Sequence, residues 1–319
     1  MKLGVMTVIL KRKPAEEAFR YLSSLNVQTV EIGTGGSPGT AHLNPKEFLS
    51  DSGAAQAYKD MLKKYNLEIS ALSTHSNHVH PQKEIADKAH EDFINTCKVA
   101  EKLNVDTVVT FSGCPGDQPG AKYPNWVTCS WPYDFQSVLE YQWNESLIPY
   151  WQSAVREAAN YGVTRIAIEM HPGFCVYNPR TLLKLRDAAG PAIGANFDPS
   201  HLFWQGIRPG EAVKLLKDAI FHFHAKDTKL DAANVQVNGV LDTGRYSNIL
   251  DRSWVFRTVG YGHDYAEWKE IISALAAVGY DRSISIEHED ELMSVNEGLE
   301  RAVSFLQQLI IRDKPQSLF

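Results

Sequence analysis

The chain is poor in cysteine. Cys97, Cys114, Cys129 and Cys175 are the only four in 319 residues. None forms a CxxC pair or a tight cluster, which argues against a thiolate zinc site or a disulfide frame and fits reduced thiols in a cytosolic protein. No stretch approaches the ~20 apolar residues of a membrane span. At the start, Leu3-Gly4-Val5-Met6 precedes its basic cluster Lys11-Arg12-Lys13, whereas a secretory signal places its charge first. Positive charge is not in excess either. The formal net charge of −6 argues against nucleic acid as the main partner. A phosphate-cradling glycine loop is also missing. The one glycine-rich stretch, 33–39, carries Pro38 and leads into no immediate helix, so it reads as a plain loop. With 44% hydrophobic residues and ordinary glycine and proline usage, neither disorder nor a fibrous chain is expected. These absences predict a cytoplasmic protein with a small-molecule partner and no membrane contact.

What is present is one alternation repeated along the chain. Strand-like runs rich in β-branched residues fall at Lys2–Val8, Gln28–Gly33, Leu67–Ser73, Val105–Phe111, Thr164–Glu169, Ala192–Asp198, Ile220–His224 and Ser283–Glu287. Between them, apolar residues recur at helical spacing in Ala15–Leu25, Ala54–Tyr65, Ile85–Leu103, Ser146–Tyr161, Arg180–Ala189, Gly210–Asp218, Ala266–Val278 and Val295–Leu309. Asn26, Asn104, Gly162 and Gly279 stand just after helices, where a left-handed cap returns the chain to the next strand. The pattern predicts a single α/β domain over 1–319, a (β/α)8 TIM barrel; an open doubly wound sheet is the alternative. A minimal barrel takes about 250 residues, so the surplus is assigned to two long loops, Ser112–Glu145 and Thr228–Asp264. Loops of that length inside a compact domain are usually functional.

Barrel chemistry sits at the carboxyl ends of the strands. Alternate strand residues face opposite sides. If Ile166 and Ile168 face the helices, Ala167 and Glu169 face inward. Gly194, Asn196 and Asp198 share one face. Phe221 and Phe223 outside put His222 and His224 inside. Ile284 and Ile286 outside put Ser285 and Glu287 inside. Four consecutive barrel strands thus aim Glu169, Asp198, His224 and Glu287 at one axis. Three carboxylates and one imidazole suit a single divalent ion, and the oxygen-rich set favours Mn²⁺, with Mg²⁺ or Co²⁺ as alternatives. Separate ion pairs with Arg165, Arg282 or Lys226 are the competing explanation for any one of these residues alone.

The ordered motifs Ile168-Glu169-Met170-His171-Pro172, Phe197-Asp198-Pro199-Ser200-His201, Phe223-His224-Ala225-Lys226-Asp227 and Ile286-Glu287-His288-Glu289-Asp290 resemble the xylose-isomerase-like barrel family. That family contains ketose 3-epimerases, inosose-metabolising enzymes and apurinic-site endonucleases. The resemblance implies a divalent metal on Glu169, Asp198, His224 and Glu287. It also implies Glu169 and Glu287 as the acid–base pair on a keto-sugar, with His201 close to substrate. The endonuclease branch is disfavoured, because it requires a histidine after the fourth strand and Asp-x-His after the seventh. Here those places read Phe111-Ser112-Gly113 and Gly262-His263-Asp264. The stretches Phe111–Asp117, Tyr141–Glu145 and Phe256–His263 look like a subgroup similar to catalytic subunits of C-glycoside deglycosidases. These lyases cleave 3-oxo-C-glucosides by elimination and work with a small β-rich partner subunit. The expected activity is therefore proton removal next to a carbonyl, as an isomerase or epimerase, with that lyase as the alternative. A non-catalytic carbohydrate-binding subunit is a further one. A homo-oligomer or a β-rich partner subunit is possible in either case.

Other candidates surround this set. His75, after the third strand, is a candidate base or substrate contact from the opposite wall; His78 and His80 are weaker. His171, Lys226, Arg257, His263 and Trp126 are candidate substrate contacts, Arg257 as a clamp and Trp126, like Trp131 and Trp143, as a stacking platform. His222 reads as a hydrogen-bonded core histidine, and Glu31 as an inward carboxylate that needs a partner.

Overall fold

The computed structural model describes residues 1–313; the last six residues of the expected 1–319 domain lie outside that range. Eight parallel strands close into a barrel: β1 Lys2–Met6, β2 Thr29–Gly33, β3 Glu68–Ser73, β4 Thr107–Phe111, β5 Arg165–Glu169, β6 Ile193–Phe197, β7 Ile220–Ala225 and, last in the chain, β10 Ser283–Ile286. β1 pairs with both β2 and β10, so no barrel edge is left. The predicted helices surround it, from Ala15–Ser24 to Val295–Gln307, and short helices at Pro45–Ser50 and Ser200–Phe203 are added outside the long loops. Asn26, Asn66 and Asn104 adopt positive φ of 58°, 52° and 59°. Asn104 ends the long Lys83–Leu103 helix with its N–H on the carbonyls of Ala100 and Glu101, as a left-handed cap requires.

Two expectations about the long loops are corrected. The first loop is not irregular to Glu145: helix resumes at Asp134–Glu140, widens into a π-helical stretch Tyr141–Leu147 and continues as Ile148–Ala159. Gln142, Trp143 and Leu147 turn inward and are buried. Pro149 explains the wide turn, because a proline inside an α-helix loses one ladder bond and clashes with the preceding turn. The second loop contains a hairpin, β8 Asp227–Leu230 against β9 Trp254–Arg257, and a short helix, Ala232–Asn238.

The core lies mainly between barrel and helices, where Phe19, Phe93, Trp151 and Trp268 are fully buried. Burying each contributes very roughly 2–3 kcal/mol before entropy is counted. The barrel floor also departs from simple alternation. Phe221 was expected to face outward, but it packs with Ala71, Val109 and Ala167. The register between β6 and β7 shifts at Ala195/Asn196, so that Ala195 pairs with Ile220 and Asn196 with His222. The extra residue at this irregularity frees Phe221 from the parity rule. Its ring takes the space a side chain at position 194 would need: a Cβ on Gly194 would sit 2.4 Å from Phe221 Cε2.

Gly194→Ala is therefore expected to destabilise the barrel by about 2 kcal/mol through overpacking. In urea titrations Gly194→Ala/Phe221→Leu should lose less than the sum of the two single losses. Strict additivity would show that the two positions do not share this space.

Candidate metal centre and active site

The carboxyl ends of β5, β6, β7 and β10 carry Glu169, Asp198, His224 and Glu287. One ligand atom from each lies within 4.8 Å of the others. Glu169 is held from every side. His75 Nε2 lies 3.0 Å from Oε2 and His201 Nε2 lies 3.2 Å from Oε1; Asn196 donates to Oε2 at 2.8 Å. His224 sits with Nδ1 3.2 Å from Glu169 Oε2 and 3.1 Å from Glu287 Oε2, while its Nε2 meets Glu31 Oε2 at 2.8 Å. Lys226 Nζ reaches Asp198 Oδ2 at 3.1 Å, Glu287 Oε2 at 2.9 Å and Glu289 Oε2 at 3.2 Å. Asp198 is oriented through Oδ1, which accepts from the Ser200 N–H at 2.8 Å.

The electrostatics follow from burying so many charges together. Burial alone would raise the Glu169 carboxyl, but hydrogen bonds from His201 and His75 and the adjacent His224 imidazole prevail and hold it well below the usual range. Burial likewise opposes ionisation of Glu287, yet the Lys226 and His224 charges lower it. Asp198 goes the other way, to about 6, because burial and the Glu169 and Glu287 charges outweigh Lys226. Burial would strip the proton from His224, but Glu31, Glu169 and Glu287 raise its affinity for a proton well above that of a free imidazole.

Two atoms in this set are buried without a hydrogen bond, His224 Nδ1 and Asp198 Oδ2. Buried polar atoms are normally satisfied, and both belong to the four-residue group. A divalent cation would fit them: it would give both atoms a ligand bond and offset the carboxylate charge, and its binding would require His224 to be deprotonated. The donor set, three oxygens and one nitrogen, has the composition of a hard or borderline divalent site.

Of these groups Glu169, Glu287 and Lys226 line a cavity of about 380 Å³, together with His75, Phe111, His171, Glu289, Lys11 and Pro38. His171 packs its ring 4.0 Å from that of His201. Burial lowers it to about 3, so it stays neutral. Among the remaining sequence candidates, several are placed elsewhere. Arg257 Nε donates to Asp290 at 3.0 Å, and its guanidinium covers Tyr261. His263 Nδ1 lies 2.8 Å from Asp227 Oδ1, and the ring stacks on Phe203. Trp126 and Trp143 border a separate cavity beside Tyr177 and Lys184; Trp131 is exposed. His78 is buried against Thr110 and Tyr150, and His80 accepts the Gln82 N–H. His222 bonds Asn196 and Ser70 inside the barrel.

Some contributions were less visible in the sequence. Glu31 has its partner, the Nε2 side of His224, and Ser285 donates to the same oxygen at 3.1 Å. Burial opposes its ionisation, but the His224 and His222 charges lower it to about 2. Asn196 carried only a parity signal. Glu289 stands two residues beyond Glu287, on the same side. Asp227 anchors the second insertion: its carboxylate accepts backbone N–H groups of Thr228, Gly260, Gly262 and His263 and the Trp268 indole N–H.

The family model described as xylose isomerase-like TIM barrel matches residues 19–309. A curated relative, the uncharacterized protein YfiH of Bacillus subtilis (strain 168), is 38% identical over 313 residues, covering 97% of this chain and 99% of its own. Solved structures of similar shape include an IOLI protein with a bound zinc atom, with a TM-score of 0.68, 17% identity and coverage of 97% of this chain and 98% of the other. A D-tagatose 3-epimerase-like protein has a TM-score of 0.63 at 20% identity, with the same coverages of 97% and 98%.

Glu31→Gln removes the charge behind His224 without changing the side chain's size. Its expected effect is a roughly 10–100-fold weaker affinity for Mn²⁺ by calorimetry, with the fold unchanged by circular dichroism. Wild-type affinity would show that Glu31 does not act through His224.

Proposed function

Since the chain belongs to the xylose isomerase-like TIM barrel family, we propose that it is a divalent-metal-dependent enzyme that removes a proton next to the carbonyl of a keto-sugar or sugar derivative. The observation that carries this reading is the convergence of Glu169, Asp198, His224 and Glu287 within ligand distance of one another, beside a cavity lined by Glu169 and Glu287, with His224 Nδ1 and Asp198 Oδ2 buried without a hydrogen bond and held only by ion-pair contacts. Those four residues are the proposed ligands, and Mn²⁺ is the ion their oxygen-rich composition favours, with Mg²⁺ and Co²⁺ next. When bound, such an ion supplies Lewis-acid polarisation of a carbonyl oxygen.

The protein's own groups divide the proton work. A base and an acid must flank the reacting carbon, each within about 3 Å of the proton it handles. Glu287 is assigned as the base: it is steered through Oε2 by Lys226 and His224, and its side chain is 13% exposed against 4% for Glu169. Glu169 faces it from β5, with three strand-to-strand steps separating β5 from β10 around the barrel. His201 and His75 hydrogen-bond its two oxygens and keep it ionised, so that it is oriented to take up a proton on the opposite side of the ring. Lys226, ringed by three carboxylates, holds positive charge beside the position where the enediolate forms. His171 stays neutral and is placed to orient a sugar hydroxyl. The D-tagatose 3-epimerase-like structure supports the sugar class through its likeness of fold.

Glu169→Gln and Glu287→Gln are each expected to lower kcat by about 10²–10⁴-fold. The assay is solvent-deuterium entry into a panel of ketoses and 3-keto-glycosides with Mn²⁺-loaded protein, with circular dichroism confirming the fold. Full activity in both variants would overturn the assignment. Metal and sugar binding with no deuterium entry in the wild type would favour a carbohydrate-binding role instead.

A further inference from the structure

The turn after β4 is fastened to the turn after β5 by two hydrogen bonds. The Val176 N–H donates to Ser112 Oγ at 3.0 Å, and the Cys175 N–H donates to the Gly113 carbonyl at 3.0 Å. Gly113 turns at a φ of 93°, and a Cβ there would sit 2.6 Å from Val79 Cγ2, so only glycine makes the turn that delivers Cys114. Cys114 is then fixed on both sides by Asn77: its N–H donates to Oδ1 at 2.9 Å, and its carbonyl accepts from Nδ2 at 2.8 Å. One backbone hydrogen bond thus separates Cys175 from the residue before Cys114. With standard backbone dimensions this places their Cα atoms on the order of 5–7 Å apart, and disulfides span roughly 4.4–6.8 Å. The two sulfurs are near enough to alter each other's hold on a proton. Cys114 is lowered from the ordinary thiol value chiefly by the Cys175 thiol, and Cys175 is raised well above it chiefly by Cys114.

Both cysteines are free thiols, 1% and 6% exposed. A small molecule can still reach them, because Cys175 lines a cavity of about 650 Å³ bordered by Trp126, Gln142, Trp143 and Tyr177. Cys129 borders the same cavity but is exposed, and Cys97 is buried in the core between barrel and helices. The thiolate is the reactive form of cysteine, and within the pair it is Cys114 that gives up its proton more readily.

We propose that Cys114 and Cys175 form a modification site, at which a hydroperoxide closes a reversible disulfide between the turns after β4 and β5. The Cys114 sulfur attacks one peroxide oxygen and breaks the O–O bond, leaving a sulfenic acid; the departing hydroxide takes the Cys114 proton and leaves as water. The Cys175 sulfur then attacks the sulfenic sulfur, forming the S–S bond and releasing a second water with the Cys175 proton. Two thiols are oxidised and one peroxide is reduced by two electrons. Reversible pairs of this kind are the form that disulfides take where thiols are otherwise kept reduced. Neither cysteine belongs to the four-residue metal group, yet the bond lies directly behind its cavity. Phe174, next to Cys175, stacks on Phe111 with centroids 4.2 Å apart, and Phe111 and His171 line the metal-site cavity. Closing the disulfide staples that wall.

The test treats full-length protein with hydrogen peroxide, blocks the remaining thiols with N-ethylmaleimide and maps unreduced peptides by mass spectrometry. The expected product is a Cys114–Cys175 cross-linked peptide, about 2 Da lighter than its two thiol peptides together. It should form roughly 10-fold or more faster than Cys97 is oxidised, and dithiothreitol should return it to thiols. Oxidation should also raise Tm, because the cross-link closes a long loop; Cys114→Ser and Cys175→Ser should each lose that rise. In Cys175→Ser, dimedone should trap Cys114 as the sulfenic acid. The peptide map uses the unaltered chain, so it decides the matter even if a serine variant does not fold. Both residues remaining thiols after Cys129 is oxidised, or a disulfide to Cys129 in place of the pair, would overturn the proposal. So would a Cys114–Cys175 bond that forms no faster in the native protein than in urea.

Discussion

Ionised carboxylates crowded into a space that water hardly reaches set the terms for the open end of this barrel. Glu31, Glu169 and Asp198 are buried, and Glu287 is nearly so. Two like charges about 4 Å apart repel by about 4 kcal/mol even at an effective dielectric constant of 20. Lys226 and the His224 imidazole offset part of that repulsion, each lying between carboxylates from several strands. The balance left over is negative, and it converges where His224 Nδ1 and Asp198 Oδ2 have no hydrogen bond. A site with this composition is arranged for a cation, and the same requirement explains why its supporting contacts are so numerous.

His224 links the two levels of the site. Its Nε2 is tied to Glu31 on β2, which also takes the Ser285 hydroxyl from β10, and this orients Nδ1 toward Glu169 and Glu287. Such outer partners fix ring orientation and strengthen an imidazole as a ligand. A second anchor, Asp227, serves the insertion after β7. By gathering four backbone N–H groups and an indole N–H, it secures the base of the segment whose Tyr246 and Phe256 border a further cavity. His224 of the four-residue group and Asp227, the anchor of the insertion, are therefore close neighbours at the end of β7.

Much of this was legible in order and parity. The eight barrel strands lie within a few residues of the expected ranges, because β-branched runs and asparagine or glycine caps mark them locally. Glu169, Asp198, His224 and Glu287 were recognisable as inward-facing ends of successive strands for the same local reason. Parity failed at Phe221, where a register shift between neighbouring strands turns the ring into the floor. That shift is a property of the pair and leaves no mark in either strand alone. Arg257 and His263 fit a substrate-contacting role by residue type, yet they meet Asp290 and Asp227. Polar side chains in a folded insertion meet whichever buried carboxylate the fold brings beside them.

The sequence by itself determined the barrel, the strand ends that bear the chemistry and the two insertions that exceed a minimal barrel, because periodicity and capping act over a few residues. Only the tertiary structure decided that Glu31 backs His224, that Lys226 joins three carboxylates, and that Trp126 faces a different cavity from Tyr246. Those are contacts between side chains tens to hundreds of residues apart. Closing the barrel and folding each insertion back over its rim brings them within reach, and local pattern carries no information about that distance.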